Sequence, residues 1–333
     1  MKLGIIGCGL IGHKRAGVLA PGELVAAADL DKGKAEALCA KYPGAQAFAS
    51  GLEVAQHPGV EAVVVATSHD QLAPMALAAL KAGKHVIVEK PAARTADEFR
   101  PVVEEAEKRN LRLKVGYNHR FHPALLEVKR RLSAPDAGEL MYLRARYGHG
   151  GRIGYDKEWR AIKAISGGGE LIDQGLHLID LARLFMGEIQ GVSGYLPTLF
   201  WDMQVEDNVF MLLKHPGGKP SWLHATWTEW KNTFSLEVQT KRLKLQVDGL
   251  GGSYGTETLT VYTMKPEMGP PDVEKFEFTG PDQSWALEWK EFCDAVSEGR
   301  EPKASGRDGL AALEAAAQLY AQAGSELLSK GKP

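Results

Sequence analysis

An apolar stretch, Leu3–Ile6, runs directly into Gly7-Cys8-Gly9-Leu10-Ile11-Gly12. A G-x-G-x-x-G turn between a strand and a helix has a narrow steric meaning. The first glycine permits the tight turn, the second admits a pyrophosphate close to the backbone, and the third lets helix and strand pack. Alone, the motif describes any tight βα turn, so its surroundings decide. A second strand, residues 23–28, ends at Asp29, about twenty residues on, where a carboxylate can accept hydrogen bonds from ribose hydroxyls. Strand, loop, helix, strand and acid in that order predict a dinucleotide site formed by Gly7, Gly9, Leu10, Ile11, Gly12 and Asp29. The acid repels a 2′-phosphate, and Leu30 stands where an arginine would help hold one, so NAD is expected over NADP.

The pattern that follows alternates short apolar runs with helical stretches. Helices are expected over 11–19, 32–41, 74–82 and 96–109, and strands over 60–66, His85–Val88 and 112–115. Such alternation predicts a doubly wound parallel sheet, a Rossmann domain over residues 1–120. From Gly138 the character changes. Strands are expected over 140–147, 191–199, 208–213, 221–229, 234–239, 244–247 and 259–263, with helices over 170–186, 284–297 and 308–329. Consecutive strands predict a second, α+β domain for substrate binding and oligomerisation, residues 121–333, on an open, mostly antiparallel sheet, with its C-terminal helices free to pack back on the first domain. The Pro266–Pro271 segment reads as a surface loop.

With 333 residues there is chain enough for two domains. A net charge of -2 without a basic block argues against nucleic acid as a partner. Cys8, Cys39 and Cys293 lie far apart, which suits reduced thiols better than a disulfide framework or a metal site. The apolar stretch at the very start leaves no room for a signal segment, and no run approaches a membrane span, so a cytoplasmic protein is expected.

Two further constellations carry chemistry. Glu89-Lys90-Pro91 follows a strand whose carboxyl end borders the ligand crevice of an open α/β sheet. Gly167-Gly168-Gly169-Glu170-Leu171-Ile172-Asp173-Gln174-Gly175-Leu176-His177 reads as a flexible glycine approach to a helix. Asp173 and His177, four apart, project from one face of it. Gly175 between them costs about 1 kcal/mol against alanine, so substrate or nicotinamide is expected to approach there. A histidine near neutral pKa suits removal of a hydroxyl proton, and a lysine ammonium steadies an alkoxide. Lys90, Asp173 and His177 form a proton-transfer set that needs no metal.

Taken together, Gly7–Gly12, Asp29, Ala66-Thr67, Glu89-Lys90-Pro91, Gly116-Tyr117-Asn118-His119-Arg120-Phe121 and Gly167–His177 resemble the glucose–fructose oxidoreductase/inositol dehydrogenase/MocA (Gfo/Idh/MocA) family over nearly the whole chain. The resemblance implies an NAD(P)-dependent dehydrogenase that oxidises a secondary hydroxyl of a sugar, inositol or nucleotide-linked sugar. It implies Lys90, Asp173 and His177 as catalytic residues, with His177 the general base. It adds Thr67, Ser68, His69, Glu89, Lys90 and Asn118 to the cofactor contacts. Ser68, His69 and Leu72 depart from the proline, asparagine and histidine usual in relatives, and His69 is the candidate to replace that histidine.

Between residues 147 and 160, glycines, aromatics and cations interleave like a substrate loop. Arg120, Tyr147, Arg152, Trp159 and Arg160 join Lys90, Asp173 and His177 as substrate contacts, and the cations, with Lys163, suggest an anionic polyol. Trp222, Trp227 and Trp230 are expected on a core or subunit-contact face of the sheet, in a homodimer or homotetramer. Two other functions remain open: a glycosidase or lyase with retained NAD, and a non-catalytic dinucleotide sensor.

Overall fold

The computed structural model describes residues 1–329; positions 330–333 of the expected second domain lie outside the described residues. The chain begins β1 (Leu3–Ile6), α1 (Leu10–Ala16), β2 (Leu24–Ala28), α2 (Lys32–Cys39), β3 (Gln46–Phe48), α3 (Gly51–Gln56), β4 (Ala62–Val65) and α4 (His69–Lys81). It continues with β5 (His85–Val88), α5 (Ala96–Lys108), β6 (Leu113–Val115), α6 (Pro123–Leu132), β7 (Leu140–Gly148), α7 (Lys163–Ser166) and α8 (Leu176–Met186). Then come β8 (Gly191–Tyr195), β9 (Asn208–Lys214), β10 (Pro220–Thr226), β11 (Thr233–Thr240), β12 (Leu243–Asp248), β13 (Glu257–Thr263) and β14 (Asp272–Phe278). Two helices, α9 (Ser284–Glu298) and α10 (Gly306–Ser329), follow.

One compact unit comprises Met1–Tyr117, Ala164–Gly167 and Trp285–Leu313. Its six strands lie in the order β3-β2-β1-β4-β5-β6, all parallel. Helices cover parallel sheets on both faces, so their strands read as continuous apolar runs. Ala62-Val63-Val64-Val65 is buried at every position. Leu3, Ile5, Ala27, Val64 and Ile87 share a core with Trp289 and Phe292 of α9.

Two details differ from the sequence expectation. Strand β3 and helix α3 were not anticipated, although Ser50 and Glu53 form a reciprocal capping box at the start of α3. Helix α4 begins at His69 rather than Pro74, because Ser68 is extended and serves as N-cap; Pro74 lies inside the helix.

The second unit comprises Asn118–Lys163, Gly168–Ser284 and the chain from Glu314. Its eight strands lie in the order β14-β13-β12-β11-β7-β10-β9-β8. All neighbours are antiparallel except β7 and β10. Alternation divides the sheet into two faces. Leu143, Ala145 and Tyr147 of β7 are buried with Phe234, Leu236 and Val238 of β11. Arg144 and Arg146 face the other way, level with Trp222 and His224 of β10.

The three tryptophans do not share a face: Trp227 is fully buried, whereas Trp222 and Trp230 are exposed. Trp222 and Trp227 are an odd number of residues apart, so in extended chain they point oppositely. Strand β14 and helix α6 were also not anticipated. The strand is largely exposed on both faces, so no hydrophobic alternation marked it. No helix among the described residues is long and apolar enough to cross a membrane.

Candidate active site

In the first unit the glycine loop has two filled positions and one open one. Gly7 has φ +100°, and a Cβ there would collide with the carbonyl oxygen of Ala66 at the end of β4. A Cβ on Gly12 would collide with the carbonyl oxygen of Gly7. A Cβ on Gly9 would meet no atom within 4 Å, and no side chain caps α1 there. That open cradle, with Leu10 exposed beside it and Ile11 half-buried, fits a dinucleotide.

Asp29 anchors the loop from the end of β2. Its Oδ2 accepts from Cys8 N at 2.9 Å and its Oδ1 from Asp31 N at 3.0 Å, and each oxygen keeps further acceptor capacity for a ribose hydroxyl. Leu30 points into solvent. Burial, then the charge of Asp29, push the Cys8 thiol up to about 12, so it stays protonated at neutral pH.

At the neighbouring βα turn, Thr67 Oγ1 donates to the carbonyl of Ser68, and Ser68 Oγ donates to Asp70 Oδ1 at 2.6 Å. His69 is buried, with Nδ1 2.9 Å from the carbonyl oxygen of Ser166. Lys90 follows β5 and is half-buried; its bond to Pro91 is cis. Glu89, expected at the cofactor, turns inward and spends its carboxylate on Arg15, whose Nε lies 2.6 Å away. Burial pushes the Glu89 carboxyl up, and Arg15 pulls it down.

In the second unit, the segment bearing Asp173 and His177 is packed rather than flexible. A Cβ on Gly168 would overlap the Tyr320 hydroxyl, and one on Gly169 would overlap the backbone of Glu206. The Glu206 carboxylate accepts from Gly169 N at 3.0 Å, Leu171 N at 3.1 Å and the Tyr320 hydroxyl at 2.7 Å. It caps the turn ahead of the two candidate residues. Leu171–Gly175 forms a π-helical turn that runs into α8, a local widening found disproportionately at functional sites. Gly175 is explained by protein neighbours: a Cβ there would lie 3.2 Å from Leu171 Cδ1 and 3.3 Å from the Glu170 carbonyl oxygen.

Rings surround His177. It meets His119 edge to face with centroids 3.8 Å apart, and Tyr147 at 6.1 Å. His119 in turn touches His122, Tyr147 and Phe234, and His122 Nδ1 lies 3.0 Å from Glu257 Oε2. Tyr254 packs on Tyr147 at 4.9 Å and accepts from Gln174 Nε2 at 3.1 Å. Burial, then Tyr254, Asp173 and Glu170, hold the Tyr147 phenol well above its ordinary range, so it remains a hydrogen-bond donor.

The sequence-predicted cations are partly committed elsewhere. Arg120 forms a bidentate pair with Asp180, Nε–Oδ2 2.7 Å and Nη2–Oδ1 2.5 Å, and both side chains are buried. Arg152 pairs with Glu158 at 2.7 Å, and Arg160 lies 3.7 Å from both Glu158 and Asp173 while stacking over Trp159. Asn118 Nδ2 donates to Ser284 Oγ at 2.9 Å.

Gln174 lay within the quoted glycine-rich motif without a role, and sequence reasoning missed Phe234, Tyr254, Glu206 and Tyr320 as shell residues. Their signal is long-range packing, which no local pattern carries; His119 lay within a quoted motif without a role. Among the described residues, no group of three His, Cys, Asp or Glu side chains could hold a metal ion.

Two family models match the chain. One, described as an oxidoreductase family with an NAD-binding Rossmann fold, covers residues 1–117; the other, a GFO/IDH/MocA C-terminal domain, covers 125–254. The chain is 30% identical over 234 residues to trans-1,2-dihydrobenzene-1,2-diol dehydrogenase of Mus musculus, covering 68% of each protein. It is 26% identical over 332 residues to scyllo-inositol 2-dehydrogenase (NAD(+)) of Bacillus subtilis (strain 168), covering 94% of this chain and 91% of that one. Its fold is similar to that of levoglucosan dehydrogenase in complex with NADH and levoglucosan, with TM-score 0.87, 22% identity and 98% of each chain covered.

Proposed function

The chain belongs to the Gfo/Idh/MocA oxidoreductase family, with an NAD-binding Rossmann fold, and on that premise we propose that it oxidises a secondary hydroxyl of a cyclic polyol to a ketone. One observation carries the reading. Asp173 and His177 stand on one helical segment within a shell of rings whose phenols stay protonated. Rings stack on the C–H faces of a sugar or cyclitol, and Tyr147 and Tyr254 offer hydrogen bonds to its hydroxyls.

NAD, when bound, supplies the hydride acceptor. The open position at Gly9 and the carboxylate of Asp29 hold the dinucleotide. Lys90 presents its ammonium to the reacting oxygen and steadies the charge that develops as the proton leaves. His177 takes that proton on its imidazole. Asp173 favours the imidazolium electrostatically and accepts a hydrogen bond from a neighbouring hydroxyl. Arg152 and Arg160 share Glu158 as an acidic neighbour, and Arg160 also has Asp173, which favours a neutral polyol over an anionic one.

A homo-oligomer contact on the open face of the eight-stranded sheet belongs to the same proposal. Tyr195, Leu212 and Trp222 are exposed there in adjacent strands, an apolar patch of the kind that marks association surfaces. Light scattering of the wild type and Trp222→Glu checks it: an oligomer that dissociates in the variant is expected.

The direct test is NADH absorbance, with purified protein, NAD and a panel of inositols, aldoses, anhydrosugars and uronates. A steady rise with one neutral cyclic polyol is the expected result. NAD binding without any rise would overturn net oxidation; cleaved or eliminated product in the same mixtures would then indicate transient oxidation with retained NAD.

A further inference from the structure

Arg15 lies three residues beyond the glycine loop, yet only 2% of it reaches solvent. Its Nε and Nη2 lie 2.6 Å and 2.5 Å from Glu89 Oε1, and its Nη1 lies 2.5 Å from Glu288 Oε2. Glu288 comes from α9 and is fully buried. Lys114 Nζ, also fully buried, stands 3.8 Å from the other Glu288 oxygen and 3.4 Å from Glu291, and Arg300 meets Glu291 at 2.7 Å. The Trp285 indole covers the Arg15 guanidinium at 4.6 Å. A Cβ on Gly116 would lie 2.7 Å from Glu89 Oε2 and 2.8 Å from Arg15 Nη2. That glycine leaves room for the pair.

Taking ions out of water costs several kcal/mol each, and well-packed apolar residues commonly do as well for stability. The network is better understood by what it aims. Glu89 immediately precedes Lys90, its N–H donates to the Val65 carbonyl, and its own carbonyl accepts from Ala92 N. Anchoring Glu89 on Arg15 therefore fixes the backbone of the turn from which Lys90 projects. Arg15 also lies on α1, which grows directly out of the glycine loop.

We propose that Arg15, braced by Glu288, is a positioning residue for Lys90. It locks the turn that carries the lysine to the helix that follows the cofactor loop. The inference rests on the reading of Lys90 as the alkoxide-stabilising residue.

The test compares wild type with Arg15→Met, Arg15→Lys and Glu288→Gln as full-length proteins. Trace acetic anhydride labels their lysines, and peptide mass spectrometry reads Lys90 against exposed Lys34. In Arg15→Met the turn is no longer locked, so Lys90 should leave its present surroundings and its labelling relative to Lys34 should change severalfold. With a turned-over polyol, kcat should fall about 10²-fold, as for a small misplacement of a reacting group, while NADH affinity stays within about threefold. Arg15→Lys, which keeps the charge without the fork, should recover part of both, and Glu288→Gln should fall between. Unchanged Lys90 labelling in the folded variants, or a kcat loss that only tracks the folded fraction, overturns the proposal. If wild type turns over no polyol, the dehydrogenase reading fails, while the labelling contrast still decides the role of Arg15.

Discussion

Two glycine-rich segments each open a helix, and their glycines are needed for different reasons. In Gly7–Gly12, the first and last glycines are pressed against protein backbone, whereas Gly9 faces open space. In the segment ahead of α8, Gly168 and Gly169 are closed against Tyr320 and Glu206, and Gly175 lies close to its own helical turn. One segment leaves open space at its middle glycine. The other spends its glycines on bringing the chain close to itself, so that a buried carboxylate can cap the turn ahead of Asp173 and His177. A glycine motif in sequence does not distinguish the two cases; the space around the missing Cβ does.

Substitutions can sharpen or break that contrast. The largest effect is expected at the residue the second segment presents: His177→Ala should lower kcat by about 10²- to 10⁴-fold, the usual reach of general base catalysis, and remove one limb of the pH–rate profile with NADH affinity retained. Full activity would reject it as the base. Gly168→Ala drives a methyl group into the Tyr320 hydroxyl and should cost about 1–3 kcal/mol, as overpacking does, seen as a lower urea midpoint with unchanged NADH affinity. Gly9→Ala should do the reverse, weakening NADH about tenfold, or ~1.4 kcal/mol, with the urea midpoint unmoved. If both alanines lower stability alike, the contrast is wrong.

Asp29→Asn retains an acceptor for Cys8 N while removing the charge, so it should narrow the NAD-over-NADP preference by a few-fold in paired KM measurements. The smallest effect lies outside both segments. Burial, then Arg146, pull His224 down to about 4. The unfolded chain binds the extra proton between that value and about 6.5. Stability contributed there is fully present above pH 6.5 and is lost as pH falls toward 4. His224→Gln should flatten the decline of Tm over that window, and an unaltered decline would assign it to other groups.

The parallel sheet was legible because burial on both faces leaves continuous apolar runs such as Val63-Val64-Val65, and the order of the cofactor loop elements is local. Strand β14 was not, because side chains exposed on both faces leave no period. The start of α4 was misplaced because Pro74 resembles a first-turn proline, while Ser68 gave the stronger boundary through its extended backbone. In the site, Asp173 and His177 could be proposed from their spacing and the glycine between them. Glu206, Tyr320 and Tyr254 could not, since they arrive from distant parts of the chain. The same holds for the cations of residues 147–160: their presence was plain, but the claim of Glu158 on both arginines is a matter of folded geometry.

The link between Arg15 and Glu288 spans 273 positions, and this has a bearing on how the protein is made. Domains commonly fold from the N-terminus while the ribosome is still adding residues. Here the first unit receives Trp289 and Phe292 into its core, and Glu288 onto Arg15, only after the second unit's last strand has been synthesised. Strand β7 waits in the same way for β10 and β11. The emerging chain thus carries an apolar sheet and half of an ion network for most of its synthesis, and its first unit is complete only once Leu313 has left the ribosome.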